Sequence, residues 1–306
     1  MQDLKELILD KLKIHKIFSL ISEVILTNKK LTILLTLSNS ELINTESIKQ
    51  EIKNLLTDVT TIEEINFIVT NSSDFAKRKI IIPNIDKIIL VSSGKGGVGK
   101  STIAVALAGQ LSNEGHKVGI LDADIYGPSV PTILGINGEN CLIENNKFTP
   151  LVKDNISIMS SALIIKNQDD ALAFRGPMAT KLLYKLLGST DWPSLDYLII
   201  DMPPGTGDIH LSLLENYVIT GAIIVTTPQK IAAQDVAKLL NLYKKFDVNI
   251  YGLVNNMSNF PGDGVRKLAE QHNLPIIANV EFLPEISKSC DEGSSYYKLL
   301  PRICKF

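Results

Sequence analysis

The chain has 306 residues with 31 Lys and Arg against 33 Asp and Glu, a formal charge of −2, so it lacks the global basic field that holds nucleic acid. Although 45% of its residues are hydrophobic, no apolar run reaches the ~18 residues that a membrane-spanning helix needs, and neither nucleic acid nor a membrane is an expected partner. The three cysteines, Cys141, Cys290 and Cys304, are widely separated and odd in number, which argues against a disulfide framework and fits a reducing compartment, the cytoplasm.

At the N-terminus, Leu4, Leu7, Ile8 and Leu12 follow helical spacing, in a stretch whose interleaved acids and lysines do not read as a secretory leader. Residues 18–27 and 31–38, joined by a turn at 28–30, read as a two-stranded hairpin. A helix with Ile48, Ile52, Leu55 and Leu56 on one face and a strand at 62–70 complete an αββαβ module over residues 1–70. Residues 71–86 mix Ser, Asn, charges and Pro83 without periodicity, as a linker does.

From residue 87 to 306 the pattern becomes repeated β-then-α units. Continuous β-branched runs at 87–93, 117–124, 196–203, 221–228, 248–256 and 274–280 predict strands buried on both faces; helices are expected near 101–113, 176–187, 231–245 and 263–272. The expected fold class is α/β, a mostly parallel sheet with helices on both faces, preceded by a small α+β domain.

The stretch GKGGVGKST, residues 94–102, follows a strand and opens a helix. Gly94, Gly99, Lys100 and Ser101 satisfy G-x-x-x-x-G-K-[ST], a phosphate-binding loop in the context it requires. Its backbone N–H groups converge on phosphate oxygens at the positive end of a helix. Gly94, Lys95, Gly96, Gly97, Val98, Gly99, Lys100, Ser101 and Thr102 are therefore the expected nucleotide-binding residues, with Lys100 on the β- and γ-phosphates and the Ser101 hydroxyl on Mg²⁺. Asp201 and the pair Asp122 and Asp124 lie where two parallel strands end beside this loop. Asp201 fits an acid that holds Mg²⁺ through water, and Asp122 an assistant at the metal; the competing reading of each aspartate is a helix cap or turn residue. The turn Gly205, Thr206, Gly207, Asp208 is placed to sense a γ-phosphate.

The spacing of two lysines in K-G-G-x-G-K-[ST] resembles the deviant Walker A signature of the MinD/ParA class. The resemblance implies that Lys95 reaches across a homodimer to the opposite nucleotide, the other reading being a solvated surface lysine. It likewise implies that Asp124 orients the attacking water and that Asn256 contacts adenine. The stretches GKGGVGKST, DADIYGPS, FRGPM, DYLIIDMPPGTGD, TTPQ and NNMS occur together in this order. The chain thereby resembles the Mrp/ApbC family of iron–sulfur cluster carrier ATPases over about residues 86–290, and the N-terminal module is similar to the MIP18-like domain often fused to them. What this resemblance implies is an ATPase using ATP and Mg²⁺, with Lys95, Lys100 and Asp124 catalytic, that delivers iron–sulfur clusters to apoproteins.

One departure bears on that expectation. The family usually carries Cys-x-x-Cys after the Asn-Met-Ser motif, whereas the stretch here is NNMSNFPGDGVRKLAEQ, without cysteine. A metal-free, ATP-dependent dimeric switch that positions a partner therefore stands as the alternative. His15, His116, His210 and His272 are dispersed, and none pairs with a cysteine at ligand spacing, so they read as structural or solvated. Arg175 has two readings, a guanidinium on the dimer or cluster face and a salt-bridged helix N-terminus. Gln229 and Lys230 match a family motif that implies nucleotide or interface contact.

Overall fold

The computed structural model describes residues 2–13, 15–27, 29–37, 39–71, 79–164 and 176–303. The chain divides into two compact units, Met1–Arg78 and Lys79–Phe306.

In the first unit, helix α1 (Gln2–Lys13) leads through a 3-10 turn (Lys16–Leu20) into β1 (Ile21–Thr27) and β2 (Lys30–Leu37). A single helical turn α2 (Asn39–Leu42), helix α3 (Thr45–Leu55) and β3 (Glu64–Asn71) follow. β2 lies between the other two strands, antiparallel to β1 and parallel to β3. Its residues Leu31, Ile33, Leu35 and Leu37 are all fully buried, the period-2 face of a strand covered on one side. Ile8 and Leu12 from α1 and Ile48 and Ile52 from α3 share that core. The hairpin strand expected from residue 18 starts three residues later, because the Phe18 amide donates to His15 O and closes a helical turn.

The second unit is an eight-stranded sheet ordered β13-β12-β11-β4-β10-β5-β9-β8. In chain order its strands and helices are β4 (Ile85–Ser92), α4 (Lys100–Asn113), β5 (Val118–Asp122), α5 (Val130–Ile133), β6 (Leu142–Glu144), β7 (Lys147–Thr149), β8 (Leu151–Lys153) and β9 (Ile156–Ser160). There follow α6 (Gly176–Gly188), β10 (Leu195–Asp201), α7 (Asp208–Asn216), β11 (Gly221–Thr226), α8 (Lys230–Lys245), β12 (Ile250–Asn256), α9 (Gly264–His272), β13 (Ile276–Val280) and α10 (Pro284–Glu292). Every pairing in this sheet is parallel except that of the edge strand β8 with β9, and β6–β7 forms a separate hairpin. Each strand and helix expected after residue 87 is present, the first strand beginning at Ile85. Within the stretch expected to be linker, the Ile80 amide donates to Asn216 O and Val218 donates to Ile80 O, so residues from 79 onward pack on this unit.

Helix α4 has no polar stripe over residues 103–109, all of them buried. Such a helix must be covered on every side. The sheet supplies one side and the C-terminal segment another: Tyr296 donates to Thr102 O at 2.7 Å, Gln110 Nε2 to Pro301 O at 3.0 Å, and the Ile303 amide to Gln110 Oε1 at 3.0 Å. α4 is thereby held rigidly under the loop that precedes it. Among the described residues no helix is long and apolar enough to cross a membrane.

Candidate functional site

β4 and β10 are adjacent central strands, and the loops leaving their carboxyl ends form the site. After β4 the chain turns through residues 93–99 with Gly97 at φ +78° and Gly99 at φ +82°, left-handed backbone that favours glycine. Space imposes the same choice: a Cβ on Gly99 would fall 2.2 Å from Asn256 Nδ2, and one on Gly94 2.5 Å from the backbone of Asp235 and Val236. The loop delivers the chain to the N-terminus of α4, where first-turn amides have no helical acceptor and the helix dipole is positive.

Residues of this loop, with Asp124, Ser129, Ile133 and Pro204, line a cavity of about 270 Å³. At its foot Lys100, 7% exposed, pairs with fully buried Asp201 at 2.5 Å, and its Nζ lies 3.2 Å from Ser101 Oγ. Burial raises the Asp201 carboxyl, opposed by the Lys100 ammonium. Asp201 Oδ2 is buried without a hydrogen-bond partner among the described residues. An unpartnered carboxylate oxygen beside a serine hydroxyl, at the phosphate end of such a loop, is the hard oxygen donor set that suits Mg²⁺. The residues present therefore fit that ion.

β5 ends at the same edge, its Asp122 opposite Asp201. Asp122 Oδ1 accepts from the Asp124 amide, and Oδ2 from the amides of Ser129 and Val130 and the Ser160 hydroxyl. This carboxylate braces the loop 123–130 and starts α5. Burial and then the nearby Asp201 raise it above the usual carboxylate range, against the pull of Lys100 and the Val130 amide. Two residues on, half-buried Asp124 reaches the cavity wall, and burial raises its carboxyl. Lys95 is half-buried along the same cavity. Across it, the turn after β10 is tied to the loop strand by the Gly205 amide, which donates to Ser93 O at 2.9 Å.

Asn256 ends β12 and donates Nδ2 to Val98 O at 2.8 Å, so it supports the phosphate loop from beneath. It also walls a smaller recess of about 70 Å³ together with Gly99, Thr102, Met257, Phe282, Leu283 and Ile286. The apolar members of that recess escaped sequence reasoning. The signal was available: residues 281–283 follow β13 at the same carboxyl edge, where open α/β sheets bind ligands.

The structure thus brings Lys95, Lys100, Ser101, Asp122, Asp124, Asp201 and Asn256 to one edge of the sheet. Among the described residues, Cys141 and Cys290 are free thiols and neither belongs to a ligand set. Cys141 is buried, and half-buried Cys290 on α10 lies 4.0 Å from Thr102 Oγ1; burial pushes both thiols up. Among the described residues no group of three or more His, Cys, Asp or Glu is placed to hold a metal ion. The segment after Asn256 is fastened instead by Asn259, which donates to and accepts from the Phe282 backbone, and by stacking of Phe260 on Phe282 at 5.6 Å. Cys304 and Arg175 lie outside the described residues. Gln229 precedes the first turn of α8, and Lys230 is exposed.

Residues 84–303 match the ParA family described as NUBPL iron-transfer P-loop NTPase, and the chain belongs to that family. A protein of Rickettsia bellii named iron-sulfur cluster carrier protein is 44% identical over 285 residues, covering 92% of this chain and 89% of its own. The protein of the same name from Rickettsia felis is 42% identical over 305 residues, covering 96% and 95%. Among solved structures, a nucleotide-binding protein from Archaeoglobus fulgidus in complex with ADP is 30% identical with a TM-score of 0.62, over 72% of this chain and 90% of that one.

Proposed function

We propose that this P-loop NTPase hydrolyses ATP with Mg²⁺ as a homodimer in the cytoplasm, and that its nucleotide state governs the carriage of an iron–sulfur cluster to apoprotein recipients. The observation that carries the ATPase part is the buried Lys100–Asp201 pair with its unpartnered Oδ2 at the foot of a glycine loop. The relatives' names support the cargo.

In this reading the loop amides and the α4 N-terminus take the phosphates, and Lys100 leaves Asp201 for the β- and γ-phosphate oxygens. Ser101 and Asp201 would hold Mg²⁺, which when bound neutralises phosphate charge. Asp124 orients the attacking water, while Asp122 holds Asp124 in place through its amide. Lys95 extends to the nucleotide of the opposite subunit and adds a cation where charge develops. The recess beside Asn256 takes the base. The turn 205–208 reports the γ-phosphate to α7, and the first unit acts as an accessory domain of the MIP18-like kind.

A second reading, an ATP-dependent switch without a cluster that positions a partner, is favoured by one observation: among the described residues no group of three or more His, Cys, Asp or Glu is placed to hold a metal cluster. Anaerobic reconstitution with iron and sulfide separates the two. Stoichiometric cluster in the native protein, lost when Cys141, Cys290 and Cys304 are all changed to serine, supports the carrier. No cluster in either protein with ATP turnover intact supports the switch.

A further inference from the structure

The turn that follows β10 is short of donors. Pro203 and Pro204 have no N–H, so this pair can be fastened only through carbonyl oxygens. On either side the backbone serves, with the Met202 amide donating to Val91 O at 3.0 Å and the Gly205 amide to Ser93 O at 2.9 Å. The Pro203 carbonyl is instead met by a side chain, His210 Nε2, 2.9 Å away. A carbonyl only accepts, so Nε2 carries the proton and Nδ1 is left as an acceptor.

The Tyr243 hydroxyl lies 3.3 Å from that Nδ1 and 2.5 Å from Ser92 Oγ. The donor direction is then determined along the whole chain: Ser92 donates to Tyr243, Tyr243 to His210, and His210 to Pro203. All three side chains are fully buried, and burial holds the His210 ring down to about 4, so it stays neutral as this direction requires. A buried polar chain of this kind is costly unless every member is satisfied, and apolar residues would fill the same volume. Its terminus is the informative part, because Pro204 and Asp124 both line the nucleotide cavity. The helix that carries Tyr243 also abuts the start of the phosphate loop, where the backbone of Asp235 and Val236 leaves no room for a side chain on Gly94.

We infer that His210 is a positioning residue for ATP hydrolysis: it fixes the Pro203 carbonyl and thereby holds Pro204 and the turn behind it in register with Asp124. α8 braces the loop and the turn together, so the two sides of the cavity keep their spacing. This rests on the ATPase reading of the site.

The test uses the full chain, with Mg-ATP turnover and ADP affinity measured on the same preparations. His210→Phe keeps a ring but removes both nitrogens, whereas His210→Gln offers a donor and an acceptor on one amide. The expected result is a kcat lower by about tenfold or more in His210→Phe with ADP Kd within about threefold, and recovery of most of the kcat in His210→Gln. Tyr243→Phe deletes one oxygen and lowers kcat by a smaller factor. Native kcat in His210→Phe, loss of ADP affinity in step with kcat, or a glutamine variant as impaired as the phenylalanine one overturns the inference. Should His210→Phe not fold, Tyr243→Phe decides: reduced kcat with ADP affinity retained supports it, and native kcat overturns it. A native protein without turnover overturns the ATPase reading and the inference with it, while an active native protein beside an equally active His210→Phe overturns the inference alone.

Discussion

Two loops leave the carboxyl edge of the same sheet one strand apart, the phosphate loop after β4 and the loop after β12, and they meet where Asn256 donates to Val98 O. They are built on different terms. In the first, positive φ at Gly97 and Gly99, tight backbone approach at Gly94 and a buried ion pair leave almost no freedom of residue choice. In the second, Asn259, Phe260, Pro261 and Gly262 are exposed, and Asn259 clips the loop to Phe282. The geometry of the phosphate loop is thus fixed within one chain by its own residues. In the loop after β12 the described residues prescribe an ordered turn and no group of three or more His, Cys, Asp or Glu placed to hold a metal ion.

Substitutions on the two sides should differ in size accordingly. Lys100→Ala has the largest expected effect, because it removes the phosphate cation and also leaves buried Asp201 uncompensated. ADP binding should disappear, and the nucleotide-free protein should lose about 3–5 kcal/mol in urea denaturation. Gly99→Ala comes next: left-handed backbone and a 2.2 Å approach to Asn256 Nδ2 imply strain of roughly 1–3 kcal/mol and ADP affinity weaker by about tenfold in calorimetry. Asn259→Ala should have the smallest effect, about 1 kcal/mol of stability for its hydrogen bonds, with turnover unchanged. A collapse of turnover in Asn259→Ala would break the contrast and tie the second loop to catalysis.

What was legible in the sequence follows the same division. GKGGVGKST could be read because Gly94, Gly97 and Gly99 each answer a local demand of space or backbone and the strand and helix around it carry clear periodicity. Asp201 and Asp124 were legible by their place at strand ends. β9 was not, since Ile156–Ser160 alternates Ile with Ser and Met and joins the parallel sheet only through tertiary pairing with β5. α7 escaped because it opens inside the GTGD turn. The Ser92–Tyr243–His210 chain had no sequence signal at all, for its first two members stand 151 residues apart and only the packing of α8 under the sheet unites them. The brace role of Asp122 was equally hidden, because backbone amides that converge on a carboxylate leave no residue-type signature.

The account turns on hydrolysis at the cavity between the phosphate loop and Asp124, and the most direct measurement compares steady-state Mg-ATP turnover of the native protein with that of Asp124→Ala, with ADP affinity measured on both. Measurable native turnover, lower by about 10²- to 10⁴-fold in the variant at unchanged ADP Kd, is the predicted result. Equal turnover in the two proteins, or none in the native one under saturating Mg-ATP, would contradict it.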